Sequence, residues 1–196
     1  MANNENIFFC RQLNEHEYSW SITSRLSDIL SIAEHYFGER NKEYSIIGIE
    51  IEINTEQPYI WYPTNDLNSK HLIIRITENC INNMNEAIFE VAHECVHCLC
   101  PTSGKNATIL EEGLATWFSI HYTSRLGINI QPSIQNYQKA YELVSDLLKY
   151  DFDIIKKARK QSPNISDITK ELLMNICPNI NPHLVNELTK PFDYNQ

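Results

Sequence analysis

Two histidines four residues apart, His93 and His97, bracket Glu94 in the stretch HECVHCLCP. On a helix turning about 100° per residue, His97 lies about 40° from His93 and Glu94 about 100° from it. Both imidazoles can then reach one ion from a single face, which is how zinc takes histidines at i and i+4. Glu94 is too far round to join them easily. It is placed to accept a proton from a water whose pKa the metal lowers from about 16 towards 7. The same stretch carries Cys95, Cys98 and Cys100, the makings of a thiolate knuckle or a redox pair. Cys95 falls on the opposite side of the helix with Ile88, Ala92 and Leu99, where a thiol packs as a small buried hydrophobe. Cys98 falls about 140° round, within reach of the Glu94 side. The thiol chemistry lacks a second pair, because Cys10, Cys80 and Cys177 are isolated. Redox thiols also belong at a helix N-terminus, where the dipole lowers their pKa, and these sit at the C-terminal end. The histidine face therefore carries the expected chemistry, metal-assisted hydrolysis with Glu94 as general base.

A catalytic zinc needs a third protein ligand and a position left for water. The stretch TILEEGLATWFS offers Glu111 and Glu112 at the start of the next helix. Here the chain resembles the gluzincin branch of the zincin metallopeptidases, over roughly residues 70–122. The EGLA stretch is similar to the downstream motif of aminopeptidase-type members, in which the glutamate before the glycine binds zinc; the resemblance maps that role onto Glu112. Local physics agrees. Thr108 as N-cap puts Glu111 at N3, where its carboxylate can fold back onto the capping N–H. Glu112 is then free to face the first helix, and Gly113 would let these two helix backbones approach closely.

The resemblance implies a zincin-like fold, Zn2+ as cofactor, His93, His97 and Glu112 as ligands, and a peptide or protein as substrate. It also implies that HLIIRITEN is the edge strand bordering the cleft, able to pair with an extended substrate. Only fourteen residues separate His97 from Glu112, fewer than in the larger aminopeptidases, and no exopeptidase anchor motif is present. Endo- and exopeptidase action are both left open. An oxyanion donor is expected from the helices that follow. Tyr122 is the catalytic candidate, with His121, Tyr137 and Tyr141 as alternatives. Thr116 and Glu90 are candidates to orient a ligating imidazole. His16, His35, His71 and His183 lack ligand spacing, although His71 could line the cleft. Trp20, Trp61 and Trp117 read as core or partly buried anchors.

These residues need elements to hold them. Ile22, Leu26, Ile29, Leu30 and Ala33 recur at helical spacing and are closed by Gly38. From Tyr44 the period becomes two, placing Ile47, Ile49, Ile51 and Ile53 on one face of a strand. PYIWYP and KHLIIRITE follow as short strands around a polar turn, TNDLNS. Asn83 and Thr108 open the two motif helices as capping boxes with Glu86 and Glu111, and Pro101 and Gly127 close them. Further helices are expected at about 133–149, 152–160, 166–176 and 182–190. The order of elements is α+β: a helix and a small sheet containing antiparallel pairing over 1–82, metal-binding helices over 83–127, and a helical cap over 128–196. All 196 residues are expected in one zincin-like domain.

A net charge of −9 argues against nucleic acid as the main ligand. Lys156, Lys157, Arg159 and Lys160 form the one basic cluster, expected as a solvated helix face. The sequence has no stretch apolar enough to span a membrane and no secretory signal at its N-terminus, so a cytoplasmic protein with thiol cysteines is expected. The function expected is that of a zinc metallopeptidase, a hydrolase of peptide bonds. The alternative is a zincin-like regulatory or binding protein that keeps the metal site and cleaves little.

Overall fold

The computed structural model describes residues 6–63, 69–101 and 107–194. The helix α1 (Ile22–Phe37) begins at Ser21, whose side chain accepts from Ser24 N while Ser24 reciprocates, and ends at Gly38 with φ 94°. That left-handed φ favours a residue without Cβ. Three strands follow: β1 (Ser45–Glu52), β2 (Tyr59–Trp61) and β3 (His71–Thr77). They form a mixed sheet in the order β1-β3-β2, with β1 parallel and β2 antiparallel to β3. The strand expected at the edge, HLIIRIT, is thus the central one, and β2 is an edge. β3 is apolar on both faces, with Leu72, Ile73, Ile74 and Ile76 all buried, as a strand flanked on both sides must be.

The isoleucine face of β1 is broken. The register shifts between Ile46 and Gly48, leaving Ile47 without a partner on β3 and 55% exposed. A bulge of this kind resets which face successive side chains take. Ile53 lies beyond the strand, beside Asn54 at φ 69°, and is also exposed. Most of the turn expected at 64–69 falls outside the described residues.

The motif helices are α2 (Met84–His97) and α3 (Ile109–Arg125), followed by α4 (Gln135–Tyr150), α5 (Ile154–Ala158), α6 (Lys170–Ile176) and α7 (Pro182–Leu188). The helix expected from 166 begins instead as a separate 3-10 turn, Ile165–Asp167, and α6 starts afresh from Thr169, which caps Leu172 N. One hydrophobic cluster runs from Ile7 through β3, α2, α3 and α4 to Leu188. Arg159 ties its parts together. Its buried guanidinium donates to the carbonyls of Phe37, Gly38 and Glu39 at the end of α1, Leu99 after α2, and Pro163. A cation so placed serves five carbonyl acceptors at once, and it ties down the end of the motif helix. None of the described helices is long and apolar enough to cross a membrane.

Candidate metal centre

α2 and α3 pack side by side with the motif at their interface. Asn83 caps α2 by accepting from Glu86 N, and Thr108 caps α3 by accepting from Glu111 N. Each expected capping box is half formed, because neither glutamate returns a bond to the capping N–H. Glu111 has another partner. His97 Nδ1 lies 2.8 Å from Glu111 Oε1, and the hydroxyl of Ser166 donates to Glu111 Oε2. Thr108 N, left free by the missing reciprocal bond, donates to Ser166 Oγ at 2.9 Å. A relay therefore runs from Thr108 N through Ser166 and Glu111 to His97 Nδ1. It fixes the ring and leaves Nε2 facing the site, the arrangement by which outer partners orient metal-ligating imidazoles.

His93, Glu94 and His97 each offer a ligand atom, all within 4.8 Å of one another, and the three could hold a metal ion. Glu112 closes the group from α3. Its Oε2 is 3.1 Å from His93 Nε2, and its Oε1 is 3.6 Å from His97 Nε2. Tyr194 donates to the same Oε1 at 2.7 Å. Two carboxylates thus converge on the imidazoles, and they differ in their anchoring. Glu112 faces Nε2 of both imidazoles, at 3.1 and 3.6 Å, and is held from behind. Glu94 makes no side-chain hydrogen bond to another described residue. Both are about 3% exposed.

Electrostatics separates them further. Burial pushes the Glu94 carboxyl above its usual range, with Glu112 and Glu90 adding to the rise and the two imidazoles opposing it. Burial works the same way on Glu112, but His97, His93 and Tyr194 outweigh it and hold the group down at about 2. For His97, burial disfavours the charge, yet the carboxylates of Glu112, Glu111 and Glu94 carry it up to about 10. These carboxylates hold positive charge at His97, and a divalent cation binding there would displace that proton. Two imidazoles and carboxylate oxygens form a donor set that suits a borderline divalent ion. The residues fit a metal.

The site opens into a cleft of ≈ 440 Å³, lined among others by Tyr59 and Ile60 of β2, Tyr137 of α4, and Tyr194. The Tyr137 ring lies 5.7 Å from that of His93, and its hydroxyl reaches Gln57 Oε1 at 3.3 Å. Of the four residues expected to supply an oxyanion donor, Tyr137 alone lines this cleft. Tyr122 is packed in the core against Phe118, with its hydroxyl donated to Asp28 at 2.6 Å. One helical turn after another, α3 carries Tyr122 away from Glu112 and onto α1. His121 stacks on Trp117 and meets the Tyr36 hydroxyl at 3.0 Å, and neither His121 nor Tyr141 lines the cleft.

The other expected partners are committed elsewhere. Glu90 accepts from the backbone and side chain of Thr77 at 2.7 and 2.5 Å, joining α2 to β3. Thr116 donates to the Glu112 carbonyl. Gly113 does permit a close approach, but to α4 instead of α2: a Cβ there would lie 2.5 Å from Ala140 O. His71 is exposed at the start of β3 and is not among the cleft residues. Trp20 is 48% exposed, with the Arg25 guanidinium 4.4 Å from its ring. Cys95 and Cys98 are fully buried free thiols, both pushed up by burial. The basic cluster is no open patch, since Arg159 is buried, Lys156 donates to His35 O, and Lys157 pairs with Asp151.

Sequence reasoning missed Ser166 and Tyr194. Both lie far along the chain from the motif, 55 and 82 residues from the glutamates they touch, and no local spacing signals them. No family model, curated protein or solved structure matches the chain.

Proposed function

We propose that the protein is a zinc-dependent metallopeptidase that cleaves peptide bonds, with His93, His97 and Glu112 as ligands and Glu94 as general base. The observation that carries this reading is the division of labour between two buried glutamates. Glu112 is anchored by Tyr194 and in contact with both imidazoles; Glu94 is unanchored, beside the same centre, with its carboxyl raised by burial. A raised carboxyl takes a proton more readily than an ordinary one and can then return it. A zinc ion held there would supply Lewis acidity, lowering the pKa of water and polarising a carbonyl oxygen.

The chain's own residues account for the rest. Glu94 accepts the proton of the attacking water at its carboxylate and delivers it to the leaving amine nitrogen. The Tyr137 hydroxyl, in the cleft beside His93, donates to the carbonyl oxygen as charge develops on it. β2 is an edge strand bordering the cleft, and its free backbone groups suit an extended peptide added as a further strand. A cleft of ≈ 440 Å³ in front of the motif favours a peptide substrate over a closed, purely regulatory site.

The test is metal analysis and peptide hydrolysis on purified protein. Native protein is expected to carry one zinc per chain and to cleave a peptide library. Glu94→Gln should keep the zinc and lose cleavage by about 10²–10⁴-fold. Absence of bound metal rejects the reading, and full turnover in Glu94→Gln removes the base.

A further inference from the structure

After α7 the chain turns back along the entrance to α3. Ile109 N donates to Lys190 O at 2.9 Å and Phe192 N donates to Ala107 O at 2.8 Å, on either side of an antiparallel bridge between Thr108 and Pro191. Asn136 of α4 holds the other side, donating to Asp193 O at 2.8 Å. Phe192 is buried, with its ring 4.8 Å from that of Tyr137, and the Tyr194 ring stands edge-on to Phe192 at 5.0 Å. Backbone bonds and ring contacts thus form a strap over 190–194 that delivers one hydroxyl to the site.

That hydroxyl makes the two oxygens of Glu112 unequal. Oε1 accepts from Tyr194 at 2.7 Å and stands off at 3.6 Å from His97 Nε2, whereas Oε2 approaches His93 Nε2 to 3.1 Å with no second donor among the described residues beside it. We propose that Tyr194 is a positioning residue for the metal: by holding Glu112 Oε1 it presents Oε2 as the single ligand atom, and it couples docking of the 190–194 strap to metal binding. The inference rests on the metal reading above and adds a regulatory consequence to it. Coupling is reciprocal by thermodynamic necessity. Whatever factor the docked strap adds to metal affinity, bound metal adds to strap docking, so anything that lifts the strap loosens the metal.

Tyr194→Phe keeps the ring on Phe192 and removes only the donor. Zinc affinity, measured by competition with a chromogenic chelator, is expected to fall about 10–100-fold. The thermal midpoint of the metal-free variant should fall by only about 2–4 °C, the shift of one lost hydrogen bond. The visible absorption of the cobalt-substituted protein should change as Glu112 is freed to use both oxygens. In the native chain, zinc should slow hydrogen exchange at the Phe192 and Ile109 amides, and this needs no variant. Equal zinc affinity and an identical cobalt spectrum in Tyr194→Phe overturn the proposal, as does exchange at those amides that ignores zinc. Native protein that binds no zinc overturns the metal reading itself. Native protein that binds zinc with a variant indifferent to the change overturns only the role of Tyr194.

Discussion

Replacing Gly113 by alanine sets two effects of opposite sign against each other. In a helix interior alanine is favoured over glycine by about 1 kcal/mol, so propensity alone makes Gly113→Ala stabilising. The added methyl, however, would lie 2.5 Å from Ala140 O, 2.7 Å from Val144 Cγ2 and 2.9 Å from Ala140 C. Two of these neighbours are backbone atoms of α4, and both Ala140 and Val144 are buried, so no side chain can swing aside to make room. Merely reaching 3.0 Å requires the two helices to part by roughly 0.5 Å, and cores resist such overpacking at about 1–3 kcal/mol. A rigid backbone wall puts the cost at the upper end, leaving a net destabilisation of about 2 kcal/mol. For a chain of this size each kcal/mol moves the midpoint by about 2–4 °C, so a fall of about 4–8 °C is expected. The same displacement shifts Glu112, next to Gly113 on α3, relative to His93 and His97 on α2, and metal affinity should fall with stability. Thermal unfolding of the metal-free native and variant proteins by circular dichroism, followed by zinc titration, makes the measurement. A variant as stable as the native protein, or more so, would refute the close α3–α4 contact from which the sign was worked.

Two further outcomes follow from the groups around the imidazoles. In the metal-free protein Glu112 has its carboxyl lowered from 4.5 to about 2, so its contribution is present above about 4.5 and is lost as pH falls through about 2. His97 is raised from 6.5 to about 10, so its contribution is complete below about 6.5 and is lost as pH rises through about 10. Thermal midpoints recorded across pH should show the alkaline loss in native protein and its absence in His97→Asn; a loss of equal size in both would contradict the assignment. Ser166→Ala breaks the relay to His97, stranding Thr108 N and taking a donor from Glu111. It should cost about 1 kcal/mol of stability and about tenfold in zinc affinity, and unchanged affinity by chelator competition would remove the relay from the site.

The local features of this site were legible in the chain because they are set by helical geometry. His93 and His97 share a face of α2, Glu94 flanks them, and Cys95 packs behind, all from a turn of about 100° per residue. The N-caps Asn83 and Thr108 and the period-two strand were readable for the same reason: their partners lie within a few residues. Errors began where a partner came from elsewhere. Glu111 had a plausible local bond to its cap, but His97 and Ser166 compete for the same carboxylate and win. Gly113 was readable as a site of close approach, though not which helix approaches. Periodicity gave Ile47 a buried side, and the bulge after Ile46 turned it outward.

The sequence by itself determined the shared face of His93 and His97 on one helix, the succession of elements and the presence of two adjacent glutamates one helix further on. Tertiary structure decided which strand is the edge, which glutamate touches both imidazoles, and which tyrosines face the cleft. Tyr122 was the expected catalytic tyrosine, yet helical rotation sends it into the core to bond Asp28. Tyr137 and Tyr194 reach the cleft from a later helix and from the strap beyond α7. A periodic pattern records how a residue is oriented about its own axis; which axes meet is settled by packing over the whole chain.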